Sequence, residues 1–360
     1  MKQEWLRKTI RSFTPYKVPE IKEHIVINAN ESPYDIFNFP DVKKDFLTRL
    51  AKLPSYHYPD PFANTLRKAL GRYVSAEYNE ILAGNGGDEM IQLILNTFID
   101  EGDTILVHVP TFDVYEIDGQ VLGARIVKVP DSENFKREGE TFLEAIRKWQ
   151  PKVTFICNPN NPTGDIWPVS LIEKMIQASP GIVVVDEAYM EFSGQESMIS
   201  RLHSHDNLIV IRTLSKAFGL AGFRLGYCVA NADIINAVSL TKPSYNLNSF
   251  TQLMGVVALE HSEEILKHNV PPTIAVRDYL IERLKTIKGV EVFPSAANFI
   301  LVRTCDGPRY VKALSEADIC VRSYGNRADL ANCLRITATT EYVANKILKV
   351  FQKEASHEDC

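Results

Sequence analysis

Short apolar, β-branched runs recur along the chain: Ile105–Val109, Val153–Cys157, Ile182–Val185, Leu208–Ile211, Gly226–Val229 and Phe299–Val302. Each is about 4–5 residues long, the length of a buried strand. Segments with apolar positions at helical spacing separate most of them: Asp88–Ile99, Thr111–Leu122, Ser170–Ala178 and Phe250–His261. Short buried strands alternating with helices predict an α/β fold, with a mostly parallel central sheet flanked by helices. From Phe250 to about Ile287 the helical pattern is nearly continuous, with an interruption expected at Pro271-Pro272. Strands are expected again near Val290–Phe293 and Phe299–Arg303, and a last helix over Glu341–Glu354. The division expected is a large domain over residues 46–255 and a smaller α+β domain over 256–360, which an N-terminal segment, 1–45, joins.

Composition narrows the class. Of 360 residues, 45% are hydrophobic and 24% charged, which excludes disordered, collagenous and low-complexity chains. With 40 basic against 45 acidic residues, a general affinity for nucleic acid or an anionic membrane is not expected. No apolar run approaches the roughly 18–20 residues that span a bilayer. The N-terminus, MKQEWLRKTIRSF, lacks the apolar stretch of a signal peptide. Cys157, Cys228, Cys305, Cys320, Cys333 and Cys360 form no Cys-x-x-Cys pair, so buried free thiols in a reducing cytoplasm are expected and a metal site is not.

Four polar motifs stand out, three of them just after apolar runs. Gly84-Asn85-Gly86-Gly87-Asp88-Glu89 precedes the helical pattern Met90–Ile99, where glycines and free N–H groups suit an anion. It is neither a Rossmann fingerprint, since Glu89 stands where a third glycine belongs, nor a Walker A loop. Asn158-Pro159-Asn160-Asn161-Pro162-Thr163-Gly164 follows the run at Val153–Cys157, and Asp186-Glu187-Ala188-Tyr189 follows Ile182–Val185. Thr213-Leu214-Ser215-Lys216 opens a longer motif that ends in Phe223-Arg224-Leu225-Gly226-Tyr227. A lysine amid small and apolar residues can lose its proton by desolvation, and Ser215 and Arg224 suit a phosphate. Taken alone, each motif has a plain structural alternative: a capped loop, a tight turn, a satisfied acid, a solvated lysine. Their order decides, with 25 residues from Asn161 to Asp186 and 30 from Asp186 to Lys216. The set suits pyridoxal phosphate, whose aldehyde needs a lysine, its ring nitrogen an acid, its phenolate donors and its phosphate a basic cradle.

With these motifs the chain resembles the fold-type-I, pyridoxal-phosphate-dependent aminotransferases, and within them the histidinol-phosphate branch. The likeness extends to Asn28-Ala29-Asn30-Glu31, Tyr58-Pro59-Asp60-Pro61, Tyr245-Asn246-Leu247-Asn248, Ala297-Asn298-Phe299 and Leu334-Arg335-Ile336-Thr337. The resemblance implies that Lys216 bonds the cofactor and moves the proton between substrate Cα and cofactor C4′. It implies that Asp186 pairs with the ring nitrogen and that Asn161 and Tyr189 bond the phenolate. Backbone N–H groups of Gly87, Asp88 and Glu89, with Thr213, Ser215 and Arg224, would form the phosphate cradle, and Phe112 would stack on the ring. Tyr58 would reach the phosphate of a neighbouring subunit's cofactor, so a homodimer with shared active sites is implied. Arg335, Arg322, Tyr16 and Asn30 would bind substrate. The reaction implied moves an amino group between histidinol phosphate and 2-oxoglutarate. Two departures touch the substrate side: Lys17-Val18-Pro19-Glu20 lacks a glycine common after the N-terminal Pro-Tyr, and Ile336-Thr337-Ala338-Thr339 lacks another. An aromatic or other amino-acid aminotransferase, and less so a threonine-phosphate decarboxylase, are the alternatives. Asn85, Tyr16 and Tyr115 are candidates to grip an imidazole.

Overall fold

The structure, a computed structural model, describes residues 2–14, 20–325 and 327–356. Tyr16 lies outside the described residues. In chain order the strands are β1 (Ile25–Val26), β2 (Ile81–Asn85), β3 (Thr104–Val109), β4 (Arg125–Pro130), β5 (Val153–Cys157), β6 (Ile182–Asp186), β7 (Leu208–Thr213) and β8 (Leu225–Ala230). There follow β9 (Val290–Val292), β10 (Phe299–Thr304), β11 (Ile319–Cys320), β12 (Arg322–Ser323) and β13 (Cys333–Thr337).

Seven strands form the central sheet in the order β2-β8-β7-β6-β5-β3-β4. The pairings among β3 to β7 are parallel, and β8 alone runs against its two neighbours. Strands β5, β7 and β8 are buried along their whole length, as expected where helices cover both faces. The expected α/β architecture is therefore present. The fully buried strands matched the apolar runs. The strand β4 was not foreseen, because it lies at the sheet edge and its outward residues are polar. In this topology the carboxyl ends of β2, β3, β5, β6 and β7 share one edge, which places Asn85, Thr111, Asn158, Asp186 and Thr213 around a common crevice.

A second sheet, β12-β13-β10-β9, is antiparallel throughout. It packs with the helices Gly307–Glu316 and Glu341–Ala355 around Ile300, Val302, Tyr310, Leu334 and Phe351. The short β1 pairs in parallel with β11, so the N-terminal segment is stitched to this region.

The expected interruption at Pro271-Pro272 is not there. The helix Ser262–Leu284 runs through both prolines, and the break falls at His261, which separates it from the helix Ser249–Glu260. The prolines forfeit donors to two carbonyls. Tertiary anchoring overrides that loss: Ile265 is buried in the core under the central sheet, while Leu280 and Leu284 are buried under the second sheet. Asn269 also donates Nδ2 to the Ala217 carbonyl at 3.0 Å, tying the helix to the segment around Lys216.

Candidate active site

β2 passes directly into the helix Gly86–Phe98, which starts two residues earlier than the apolar pattern implied. Gly86 has φ +79, and a Cβ at Gly226 of β8 would stand 2.3 Å from the Gly86 carbonyl carbon. Only glycine at both positions lets the helix start lie flat against β8. The first-turn N–H groups of Gly86, Gly87 and Asp88, which have no intrahelical partners, then lie at the carboxyl end of β2, on the crevice edge. Beside them, Arg224 donates Nη2 to Asp88 Oδ2 at 2.9 Å, while Thr213 Oγ1 accepts from the Ser215 amide at 3.1 Å. These groups surround a space suited to a small dianion. The Glu89 side chain turns away from that space. Its Oε2 accepts from the Asn85 amide at 2.5 Å and from Asn246 Nδ2 at 2.9 Å, so it fixes the strand-to-helix junction.

Asp186 closes β6 and is buried. Its Oδ2 accepts from the Tyr115 hydroxyl at 2.6 Å and its Oδ1 from the Ala188 amide at 3.0 Å. Burial pushes its carboxyl up to about 6, against the two hydrogen bonds that favour the ionised form. Both donors are neutral, so among the described residues the carboxylate has no cationic partner. Tyr115, one of the candidates for an imidazole contact, does not line a substrate space. It is fully buried, stacks on Phe155 at 4.4 Å, and supports Asp186 from behind. Phe112 packs edge-on against Tyr115, with ring centroids 5.6 Å apart.

Lys216 lies in the turn after β7, and its Nζ donates to the Ala29 carbonyl at 2.7 Å. Burial, with help from the Arg335 guanidinium, lowers its ammonium to about 8. The Tyr189 hydroxyl accepts from Asn30 Nδ2 at 3.1 Å and from Asn161 Nδ2 at 3.4 Å. Burial raises the Tyr189 phenol above its ordinary value. Asn161 turns its other face to Arg335, whose Nη1 donates to Asn161 Oδ1 at 2.5 Å and whose Nη2 donates to the Asn28 carbonyl at 2.8 Å. Arg335 Nε is buried with no partner among the described residues. The structure thus brings Lys216, Asp186, Tyr189, Asn161, Asn30 and Arg335 into one crevice.

Arg322 is the register partner of Arg335 across β12 and β13. Tyr58 lies apart from this set, 81% exposed and stacked on Tyr245 at 4.6 Å.

Two supporting groups were not legible in the sequence. Buried Arg137 donates Nε to Asp165 Oδ2 at 2.5 Å, Nη1 to the Cys157 carbonyl at 3.2 Å and Nη2 to Asn158 Oδ1 at 3.3 Å, which fixes the turn that carries Asn161. Arg327 donates Nη1 to Asp113 Oδ1 at 2.6 Å and Nη2 to Asp329 Oδ2 at 2.7 Å, joining the second sheet's loop to the segment after Phe112. Apart from Asp329, two residues from Arg327, their partners lie about 20 to more than 200 residues away, beyond any local pattern.

Comparison with known proteins agrees with this geometry. The family described as aminotransferase class I and II matches residues 22–351. A histidinol-phosphate aminotransferase of Caldanaerobacter subterraneus subsp. tengcongensis is 38% identical over 354 residues, covering 97% of this chain and 99% of the relative. One from a Thermoanaerobacter species is 39% identical over 341 residues, covering 94% and 95%. Among solved structures, the histidinol-phosphate aminotransferase of Sinorhizobium meliloti, in complex with pyridoxal-5'-phosphate, superposes with a TM-score of 0.87 over 98% of both chains at 24% identity, a likeness of fold. The chain belongs to the class I and II aminotransferase family.

Proposed function

We propose that this chain transfers the amino group between L-histidinol phosphate and 2-oxoglutarate, giving imidazole acetol phosphate and glutamate, with pyridoxal 5'-phosphate as cofactor. The observation that carries the substrate is the pairing of Arg322 with Arg335 beside the lysine crevice. Like charges directly opposite each other destabilise a strand pair, so an anion held by both is the chemistry they suit. Relatives matched over nearly their whole length bear the corresponding name.

The residues fit the cofactor. Buried Asp186 has no cation beside it among the described residues, and a ring N–H would supply one. The glycine-lined helix start with Arg224, Ser215 and Thr213 suits a phosphate, and a Cβ on Gly86 would fall 2.6 Å from Arg224 Nη2. Asn161 and Tyr189 offer donors for a phenolate, and Phe112 an aromatic face. When bound, the cofactor supplies an electron-withdrawing ring that accepts the electrons of the breaking Cα–H bond.

The chain's own residues do the rest. Lys216 Nζ, whose proton burial makes easier to lose, would take the proton from the substrate Cα and deliver it to C4′ of the bound cofactor. Asp186, held ionised by Tyr115 and the Ala188 amide, keeps the ring nitrogen protonated. Arg335 and Arg322 fix the phosphate end of the donor and then the distal carboxylate of 2-oxoglutarate, aligning Cα with Lys216. Burial of Asp186 and partial burial of Lys216 limit water around the reacting carbon.

In this reading two chains form a homodimer, with Tyr58 of each completing the phosphate site of the other. Support comes from the exposed aromatic rings of Tyr56, Tyr58 and Phe62, which a single chain leaves in water. Residues 46–255 are taken as the cofactor domain and 256–360 as the small domain, which segment 1–45 joins. Among the described residues no helix is long and apolar enough to cross a membrane. We place the enzyme in the cytoplasm, in keeping with its free, buried Cys157, Cys228 and Cys333. Donor competition tests the function: histidinol phosphate should exceed tyrosine and phenylalanine in kcat/KM by two orders of magnitude or more, and the reverse ranking would favour an aromatic aminotransferase.

A further inference from the structure

Tyr324 follows directly on β12 and carries an unexplained polar group. Strand alternation puts it on the same face as Arg322, and the Arg322–Arg335 pairing puts Arg335 there too. Its ring packs against the cluster of Phe135, Phe293, Leu301, Leu330 and Cys333. The Arg322 guanidinium stands 5.9 Å from the ring centroid and that of Arg327 6.0 Å. The hydroxyl oxygen is buried and has no hydrogen-bond partner among the described residues. A buried, unsatisfied hydroxyl is costly and calls for a ligand or an explanation. Burial raises this phenol more than the guanidiniums of Arg335, Arg322 and Arg327 lower it, so it remains an O–H donor at neutral pH. The Asp113 carboxylate also acts on it but is paired with Arg327, so among the described residues this donor stands near three guanidiniums without a hydrogen-bond acceptor.

We propose that Tyr324 is a specificity-determining residue that donates its hydroxyl to the phosphate of the substrate. The proposal rests on the reading of Arg322 and Arg335 as the substrate-anion site and deepens it. A planar carboxylate offers two oxygens, which a single guanidinium satisfies side by side. A tetrahedral phosphate monoester offers three, and the third needs a donor from another direction. Arg335 and Arg322 project from adjacent strands, and Tyr324 lies two residues further along the same face. The hydroxyl therefore favours the phosphorylated amino donor over glutamate, although both use the same arginines.

The test compares the wild type with Tyr324→Phe, which keeps the ring and its packing. For each, kcat/KM is measured with histidinol phosphate and with glutamate as amino donor, alongside Tm and cofactor affinity. A lost hydrogen bond to a charged group predicts a roughly ten- to hundredfold fall in the ratio of the two kcat/KM values, carried mainly by KM for histidinol phosphate. Cofactor affinity and Tm should stay near wild type. An unchanged ratio, or equal losses for both donors with a lower Tm, overturns the proposal and leaves Tyr324 a packing residue. The underlying reading fails differently: Arg335→Ala would then leave turnover of histidinol phosphate intact, or the wild type would not turn it over at all.

Discussion

Arg322 and Arg335 stand directly opposite each other on antiparallel strands, with Arg335 buried and bonded through Asn161 toward Tyr189. Two neighbouring guanidiniums of like charge suit an anionic ligand held between them. Asn161 touches both Arg335 and Tyr189, so in the proposed reading the substrate's anionic end and the cofactor's phenolate side would share one residue. Arg335→Ala removes charge-assisted bonds worth about 1.5–3 kcal/mol each. The expected result is a loss of two or more orders of magnitude in kcat/KM for histidinol phosphate. Arg335→Lys should recover only part of it, since an ammonium cannot reproduce the fork geometry.

Asp186 predicts a pH dependence of the apoprotein. Its folded-state carboxyl, at about 6, lies above its ordinary value of 3.8. The stability it contributes is fully present below the unfolded value and is lost as pH rises through about 6. Asp186→Asn should therefore stabilise the cofactor-free protein more at pH 8 than at pH 5, by about 1–1.5 kcal/mol between those two pH values. The same variant should bind cofactor more weakly. Thermal unfolding at the two pH values checks this, and a stability difference independent of pH would contradict it.

Gly226→Ala tests the packing behind the anion cradle. Its Cβ would meet the Gly86 carbonyl carbon at 2.3 Å and the Gly87 nitrogen at 2.6 Å, so the backbone of the helix start must move. A fall of at least tenfold in cofactor affinity is expected by titration, with the ranking of amino donors at saturating cofactor unchanged.

The shared-site proposal has its own test. A mixed dimer is prepared with Tyr58→Phe on one chain and Lys216→Ala on the other. Its lysine-bearing site, completed by the intact Tyr58, should bind cofactor as the wild type does. Affinity as low as that of a Tyr58→Phe homodimer would show that the tyrosine acts within its own chain.

Much of this site was legible in the sequence, because its groups follow buried apolar strands whose pattern is local. Asn161, Asp186 and Lys216 each sit just past such a run, and a parallel sheet gathers those ends at one edge. What stayed hidden depends on distant partners. Tyr115 looked like a substrate-facing ring, yet it is bonded to an acid 71 residues away. Pro271-Pro272 looked like a helix break, yet packing on two cores carries the helix through. The strands β11 and β12 are two residues each, too short for any periodicity, although β12 carries Arg322 and sets its register against Arg335.

The central claim is that the chain's amino donor is histidinol phosphate, worked on by Lys216. The most direct measurement is a half-reaction: purified, cofactor-loaded enzyme receives histidinol phosphate with no keto acid present. The account predicts loss of the cofactor's visible absorbance and one equivalent of imidazole acetol phosphate per site, with no carbon dioxide released. Lys216→Ala should show neither change on the same timescale. A spectrum that ignores histidinol phosphate but responds to an unphosphorylated amino acid would contradict the substrate, and product formation by Lys216→Ala at the wild-type rate would contradict the role of the lysine.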